Sequence, residues 1–397
     1  MSGRGWRLAF LALLLGVTAL AAQAATPGVT DTEIKIGQNA AFSGPASVYG
    51  QISTAESHYF EMINEQGGIN GRKIRLIALD DGYSPPKAIE VIRKLVEDEQ
   101  VAILFQTLGT ASNVAIRKYV NQKKIPDLWI GSGASVFSAS SKEFPWTIQF
   151  QPSYRVEGRM YAQYILKVKP DAKIGILYQN DDLGRDYLAG LKDGLGEKFD
   201  KMVVKSISYE ITDPTIDSQI LDLRASGADV LYDASTPKFS AMAIRKVADI
   251  DWHPLHIIDS NGALVKPALE SAGFDKSVGV VTAQYLKDPT DPQWADDPGM
   301  KEFLAWKAKY APEADIANPV WYYGYTMAQA LVLVLKQAGN DLSRENIMRA
   351  ATHLPDTTTL PLVLPGIKIS TSPTDYQAMK GMRLVQFDGK MYRLLPE

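Results

Sequence analysis

The sequence predicts an α/β protein built as two doubly wound parallel-sheet lobes. Three observations carry this. Short apolar runs of strand length alternate with helix-period segments along almost the whole chain. The chain has 397 residues, 46% of them apolar and 22% charged, enough for more than one core. The alternation also falls into two successive series that meet near Phe150, and one sheet rarely absorbs so many strand–helix units.

In the first series, Ile34-Lys35-Ile36-Gly37 reads as a strand and Val48 to Gln66 as a helix. That helix is stopped by Gly67-Gly68-Ile69-Asn70-Gly71, rich in residues that tolerate positive φ. Lys73 to Leu79 is a second strand. Pro85 and Pro86 open a helix in which Ala88, Ile92, Leu95 and Val96 recur at helical spacing. Val101 to Phe105 and Ile125 to Ile130 follow as strands, with a helix between them for which Thr110 is the candidate cap. The second series runs helix from Tyr154, strand Lys173–Tyr178, helix Asp186–Phe199 and strand Met202–Ser208. It continues through helix Asp217–Ala225, strand Asp229–Asp233, helix Pro237–Asp249 and strand Leu255–Ile258. The Pro/Asp-rich stretch from Pro289 to Pro298 reads as loop, Ala328 to Leu335 as a buried helix, and the proline-rich tail from Leu354 to Thr374 as surface wrapping before a last strand, Arg383–Phe387.

Residues 1–24 read as an address. Arg4 and Arg7 precede the apolar run Leu8 to Ala22, which ends in Ala22-Gln23-Ala24, the small-x-small pattern of a secretory cleavage site. The run falls short of the ~20 apolar residues of a membrane-spanning helix, and removing the two arginines takes the formal charge from −3 to −5. The mature protein is therefore expected to be exported to the periplasm, soluble and without an anchor. The acidic balance leaves no field for nucleic acid. The absence of cysteine excludes disulfides, thiolate metal sites, cysteine nucleophiles and lipidated cysteine together.

Catalytic signatures are missing. No glycine-rich dinucleotide or phosphate loop follows the first strand, and no Gly-x-Ser-x-Gly occurs; Gly131-Ser132-Gly133-Ala134-Ser135 has its serine and glycine in the wrong order. The four histidines are scattered, and Pro254 between His253 and His256 breaks metal-ligand spacing. The pairs Asp80-Asp81, Asp181-Asp182 and Asp296-Asp297 fit caps and turns better than acid–base work. No cofactor and no metal are expected.

Several stretches in order carry a resemblance: Ile36-Gly37, Ala41-Phe42-Ser43-Gly44-Pro45, Tyr49-Gly50, Gly67-Gly68-Ile69-Asn70-Gly71-Arg72, Asp80-Asp81 before Pro86-Lys87-Ala88, and the loop Gly131 to Ser135. Together they resemble the periplasmic Leu/Ile/Val-binding proteins, type I substrate-binding subunits of ABC importers, over effectively the whole mature chain. The resemblance implies two α/β lobes joined by three crossings, with the ligand between them. It places the crossings near Phe150, Ala283 and Gly381, so that one lobe combines 28–149 with 284–378 and the other 150–283 with 379–397.

It also implies a site. Gly133, Ala134 and Ser135 follow the strand Leu128–Ile130 and match the family's carboxylate cradle; from the residues alone a plain turn stays open. Thr107, Leu108 and Gly109 match a second ligand-contacting loop, and Phe42 and Tyr49 match positions at the apolar end of the pocket, with core packing the alternative. Departures from the family point to the ligand. Asn261 stands where the amino-acid binders carry an acid for the substrate's ammonium, and Leu183 and Ser235 stand where they carry tyrosines. Asp259 reaches the same place only with a register slip of two. Burying an ammonium without an anionic partner costs several kcal/mol. The matching positions of the family's small disulfide are Tyr83 and Leu108. Trp321, with Tyr322 and Tyr323, is placed to enter or border the cleft or to pack on the core. Arg155 is a second candidate anion partner or a solvated helix end.

The expected function is capture of a small organic acid with an apolar body, an aromatic acid such as a benzoate or cinnamate being one example, and delivery to an ABC permease in the inner membrane. Branched-chain amino-acid binding and a ligand-sensing module are the alternatives, and an enzyme is disfavoured.

Overall fold

The computed structural model describes residues 26–396, so the expected leader at 1–24 lies outside the described residues. Twelve strands form two sheets: β1 Glu33–Ala40, β2 Lys73–Asp80, β3 Ile103–Phe105, β4 Asp127–Ile130, β5 Thr147–Gln149, β6 Ile174–Gln179, β7 Val203–Tyr209, β8 Val230–Ala234, β9 Leu255–Ile258, β10 Val281–Gln284, β11 Arg383–Phe387 and β12 Tyr392–Leu394. The first sheet has the order β2-β1-β3-β4-β5 and the second β12-β11-β10-β9-β8-β6-β7.

All pairs in the first sheet are parallel, with β1 and β2 in register from Glu33↔Lys73 to Ala40↔Asp80. The second sheet is parallel from β7 through β10, then antiparallel across β11 and β12. Buried parallel strands need apolar runs rather than alternation, which Ile103-Leu104-Phe105 and the fully buried β8 supply. The fold class is the one expected from the sequence.

The chain passes between the sheets three times: β5 leads to the helix Tyr154–Val168, β10 leads back to the first core, and β11 returns to the second sheet. Two crossings lie side by side, where the Ala378 N–H donates to the Gln149 carbonyl (3.3 Å) and the Met379 N–H to that of Phe150 (3.0 Å). The third is tied down by the Leu364 N–H on the Tyr285 carbonyl (2.9 Å). One apolar core joins residues 34–150 with 286–379, including the helices Gly50–Glu65, Pro298–Tyr310 and Pro319–Ala338. The Tyr59 and Tyr325 rings meet edge to face at 5.0 Å inside it. The second sheet has its own cores on its two faces.

Boundaries shift where local chemistry is stronger than periodicity. The helix expected from Asp186 begins at Asp182, because Asp181 caps it by accepting from the Leu183 and Gly184 N–H groups. Residues 355–374 carry only isolated bridges, among them Thr358↔Ile369 and Ser372↔Asp375.

Candidate functional site

Parallel sheets gather their carboxyl ends on one side, and the loops leaving β3, β4, β6, β9 and β10 meet across a cleft between the lobes. The cleft encloses about 960 Å³ of space open to solvent. Its first wall is Tyr49, Ile52, Tyr83, Gln106, Leu108, Gly109, Thr110 and Gly131, completed by Pro319, Val320, Tyr322 and Tyr323 from one helix start. The second wall is Leu183, Ser260, Asn261, Ala263, Leu264 and Tyr392. Gln151, Tyr154 and Thr282 to Leu286 form the crossing side. Seven lining residues are tyrosines, and none is Asp, Glu, Lys, Arg or His.

Of the residues expected at the site, Tyr49, Leu108, Gly109, Leu183 and Asn261 line this cleft. Tyr49 reaches across it, its hydroxyl donating to the Asn261 carbonyl at 3.1 Å. Asn261 turns its side chain away, Nδ2 donating to the Tyr187 hydroxyl at 2.9 Å. Tyr83 packs on Gly109, whose missing Cβ would sit 3.0 Å from that ring and whose φ of +96° suits glycine. The two residues at the disulfide-matching positions, Tyr83 and Leu108, thus both become cleft wall.

Phe42, Thr107, Gly133, Ala134, Ser135, Ser235 and Trp321 do not line the cleft. Phe42 is 45% exposed on a turn held by Asp80, which accepts from the Phe42 and Ser43 N–H groups. Gly133 is a packing site: a Cβ there would lie 2.3 Å from the Pro152 carbonyl and 2.7 Å from the Tyr154 ring. Ala134 is buried in the second core. Ser135 is already engaged, its N–H donating to Asp186 at 2.8 Å and its hydroxyl at 2.5 Å, so the chain's own carboxylate fills the expected anion cradle. Ser235 is buried, its N–H donating to Asp259 (2.8 Å) and its hydroxyl bonded to Ser240. Trp321 lies in the first core, since helix geometry sets it about 100° from its neighbours and turns it inward while 319, 322 and 323 share the cleft face. Arg155 forms a two-pronged pair with Asp193 at 2.6 and 3.0 Å.

The acids near the second wall are consumed by the protein. Asp259 accepts from the N–H groups of Ser235, Asn261 and Gly262, and burial beside Glu157 and Asp233 holds its carboxyl far above the usual range. Glu157 accepts from the hydroxyls of Tyr161 (2.7 Å), Tyr187 (3.0 Å) and Ser260 (2.9 Å) and from the Ser260 N–H (2.7 Å); burial raises its pKa against these bonds.

Beneath the Thr107–Gly109 loop lies a fully buried acid, Asp127. The Thr107 hydroxyl lies 2.7 Å from Asn113 Oδ1 and 2.9 Å from Asp127 Oδ1. The Asn113 amide is fixed by Nδ2 donating to the Thr107 and Gly109 carbonyls. The Thr107 hydroxyl is shared as donor between these two acceptors. Burial pushes the Asp127 carboxyl up to about 7.

Donors for an anion exist elsewhere. The helix Thr110–Gln122 opens on the cleft at Gly109 and Thr110, and its first internal bond is Asn113 N–H to the Gly109 carbonyl. The preceding N–H groups have no partner within the helix. The Tyr154 hydroxyl accepts from Gln151 Nε2 (3.0 Å), and that of Tyr323 donates to Gln151 Oε1 (3.0 Å) and Gln106 Oε1 (3.3 Å). Gln151, Tyr154, Tyr285 and Tyr392 were not singled out from the sequence. The first three sit within a few residues of a crossing, a signal that was available; Tyr392 offered none.

The sequence profile of the family described as periplasmic binding protein matches residues 33–391. The Leu/Ile/Val-binding protein homolog 8 of Brucella suis is 25% identical over 97% of this chain and 96% of its own. A branched-chain amino-acid ABC transporter protein from Thermus thermophilus, solved with bound valine, superposes with TM-score 0.81 at 15% identity over 93% of this chain and 97% of that one. A fatty acid ABC transporter substrate-binding protein from Thermomonospora curvata does so with TM-score 0.75 at 20% identity over 93% and 92%. Among the described residues no helix is long and apolar enough to cross a membrane. The fold, the cleft between its lobes and the profile match agree: the chain belongs to the periplasmic binding protein family.

Proposed function

We propose that the protein captures a small organic acid with an apolar, aromatic body between its lobes and delivers it to an ABC permease, catalysing no reaction itself. The observation that carries this is a cleft rich in tyrosine and free of ionic side chains. A carboxylate is accommodated by the N–H groups at the start of the helix Thr110–Gln122, aided by the Thr110 hydroxyl. An α-ammonium has no such reception, because Asp259 and Glu157 spend their oxygens on the protein. The moving bodies are residues 28–149 with 284–378 and 150–283 with 379–397. Ligand touching both walls favours closure, which Tyr49 on Asn261 and Lys266 on Asp315 already bridge. Export would follow from the leader at 1–24.

The competing reading, branched-chain amino-acid capture, draws on the valine-bound fold neighbour. A thermal-shift panel of aromatic acids, fatty acids, leucine, valine and urea separates them, since a ligand at 100 times its Kd adds about 2.7 kcal/mol of stability. The largest shift is expected from an aromatic acid; a larger shift from leucine or valine would refute the reading.

A further inference from the structure

Two tyrosine hydroxyls in the cleft have no hydrogen-bond partner among the described residues. Tyr322 is buried to 5% exposure and Tyr285 is half-buried; both rings line the cleft, and neither hydroxyl bonds to any side chain or backbone group. The other cleft phenols differ. Tyr49 donates to Asn261, Tyr392 to the Ala263 carbonyl at 2.8 Å, Tyr323 to two glutamines, Tyr154 accepts from Gln151, and Tyr83 meets the Gln179 side chain. Neither oxygen is among the fully buried unpartnered atoms, so both open on the cleft, where a bound molecule can take or give a hydrogen bond. Phenylalanine would fill the same space without desolvating a hydroxyl, so packing gives no reason for the two oxygens.

Tyr322 is set apart from the carboxylate end, and Tyr285 neighbours both Tyr322 and Tyr154. Tyr322 neighbours Tyr392 and Asp288 electrostatically, whereas Thr110 sits with Ser132 beside Tyr154. A ligand whose carboxylate lies at the start of the helix Thr110–Gln122 shares the cleft with both unbonded phenols.

We infer that Tyr285 and Tyr322 form a second polar subsite, which receives an oxygen function (a hydroxyl or carbonyl) carried on the ligand's aromatic body apart from its carboxylate. The inference rests on the proposed organic-acid reading and names a narrower class within it: ring-oxygenated aromatic acids. Each phenol donates to the ligand oxygen or accepts its proton.

Calorimetric titration of the full mature chain with two matched pairs tests this: benzoate against 4-hydroxybenzoate, and cinnamate against 4-hydroxycinnamate. The oxygenated member of at least one pair is expected to bind about ten-fold tighter or more, because a site built around a hydroxyl leaves its own polar groups unpaired with the analogue lacking it. In the double variant Tyr285→Phe/Tyr322→Phe the two members should bind equally. Since neither hydroxyl holds the fold together, the variant's ligand-free melting temperature should stay at the wild-type value, which separates loss of preference from loss of structure. Equal binding of both members to wild type, or a preference that survives in the double variant, overturns the subsite while leaving the organic-acid reading standing. Failure of all four acids to bind beside a clear leucine or valine signal overturns both.

Discussion

The two walls of the cleft handle charge in opposite ways. The first wall leaves donors open: the start of the helix Thr110–Gln122 and unbonded phenol oxygen at Tyr322 face the space between the lobes. The second wall has acids close behind it, Asp259 next to Ser260 and Glu157 beneath the same loop, yet both are taken up by N–H and hydroxyl donors of the protein, most of them from the loop that carries Ser260 and Asn261. Proximity of an acid to a site in sequence is therefore a poor guide to the charge a ligand meets. What decides is whether the loop's own donors consume it first.

Placing an acid on the second wall breaks this contrast most severely. Leu264→Asp, at a lining position of that wall, should weaken binding of an aromatic carboxylate about 100-fold, from like-charge repulsion in a desolvated cleft, as read by calorimetry; an unchanged Kd would mean that the carboxylate is held far from that wall. Next in size is Gly133→Ala, whose Cβ meets the Pro152 carbonyl at 2.3 Å. Overpacking of this kind costs about 1–3 kcal/mol, and a lowered denaturation midpoint would register it.

Asp127 offers a pH test on the first wall. Its carboxyl is near 3.8 when unfolded and about 7 in the fold, so the native state binds the extra proton between those values. Its contribution to stability is fully present below about 3.8, declines as pH rises toward 7, and is flat above, at roughly 1.4 kcal/mol per pH unit in between. Asp127→Asn keeps an acceptor for Thr107 and should flatten that slope, raising stability at pH 8 more than at pH 5; equal changes at both would show that Asp127 is ionised in the fold.

The smallest effect is expected at the expected cradle. Ser135→Ala removes a hydrogen bond to Asp186, not to ligand. It should lower stability by about 1 kcal/mol and leave ligand Kd within two-fold. A large loss of affinity would return Ser135 to the binding site.

Much of the fold was legible because its cues are local. Pro85 and Pro86 open the helix Pro85–Arg93, and the residues Asp217–Ala225, Pro237–Asp249, Leu255–Ile258 and Arg383–Phe387 form the elements read from periodicity; Thr110, expected to cap its helix, is instead the first helical residue, and Gly109 takes the cap position. The short strands β5 and β12 escaped, being only three residues each and defined by neighbours far away in sequence. In the site, loop positions next to strand ends were readable at Leu108, Gly109 and Asn261. Ser135 was not, because its occupant, Asp186, comes from a helix 51 residues away. Nor were the cleft tyrosines distinguishable from core tyrosines: Tyr325 and Tyr322 share one helix, one buried against Tyr59 and one facing the cleft.

The most direct test of a cleft that accepts a carboxylate and refuses an α-ammonium is calorimetry with pairs differing only in that group: 3-phenylpropionate against phenylalanine, and 4-methylpentanoate against leucine. The deaminated acid should bind about 100-fold tighter or more in at least one pair. Tighter binding of phenylalanine or leucine would contradict the account.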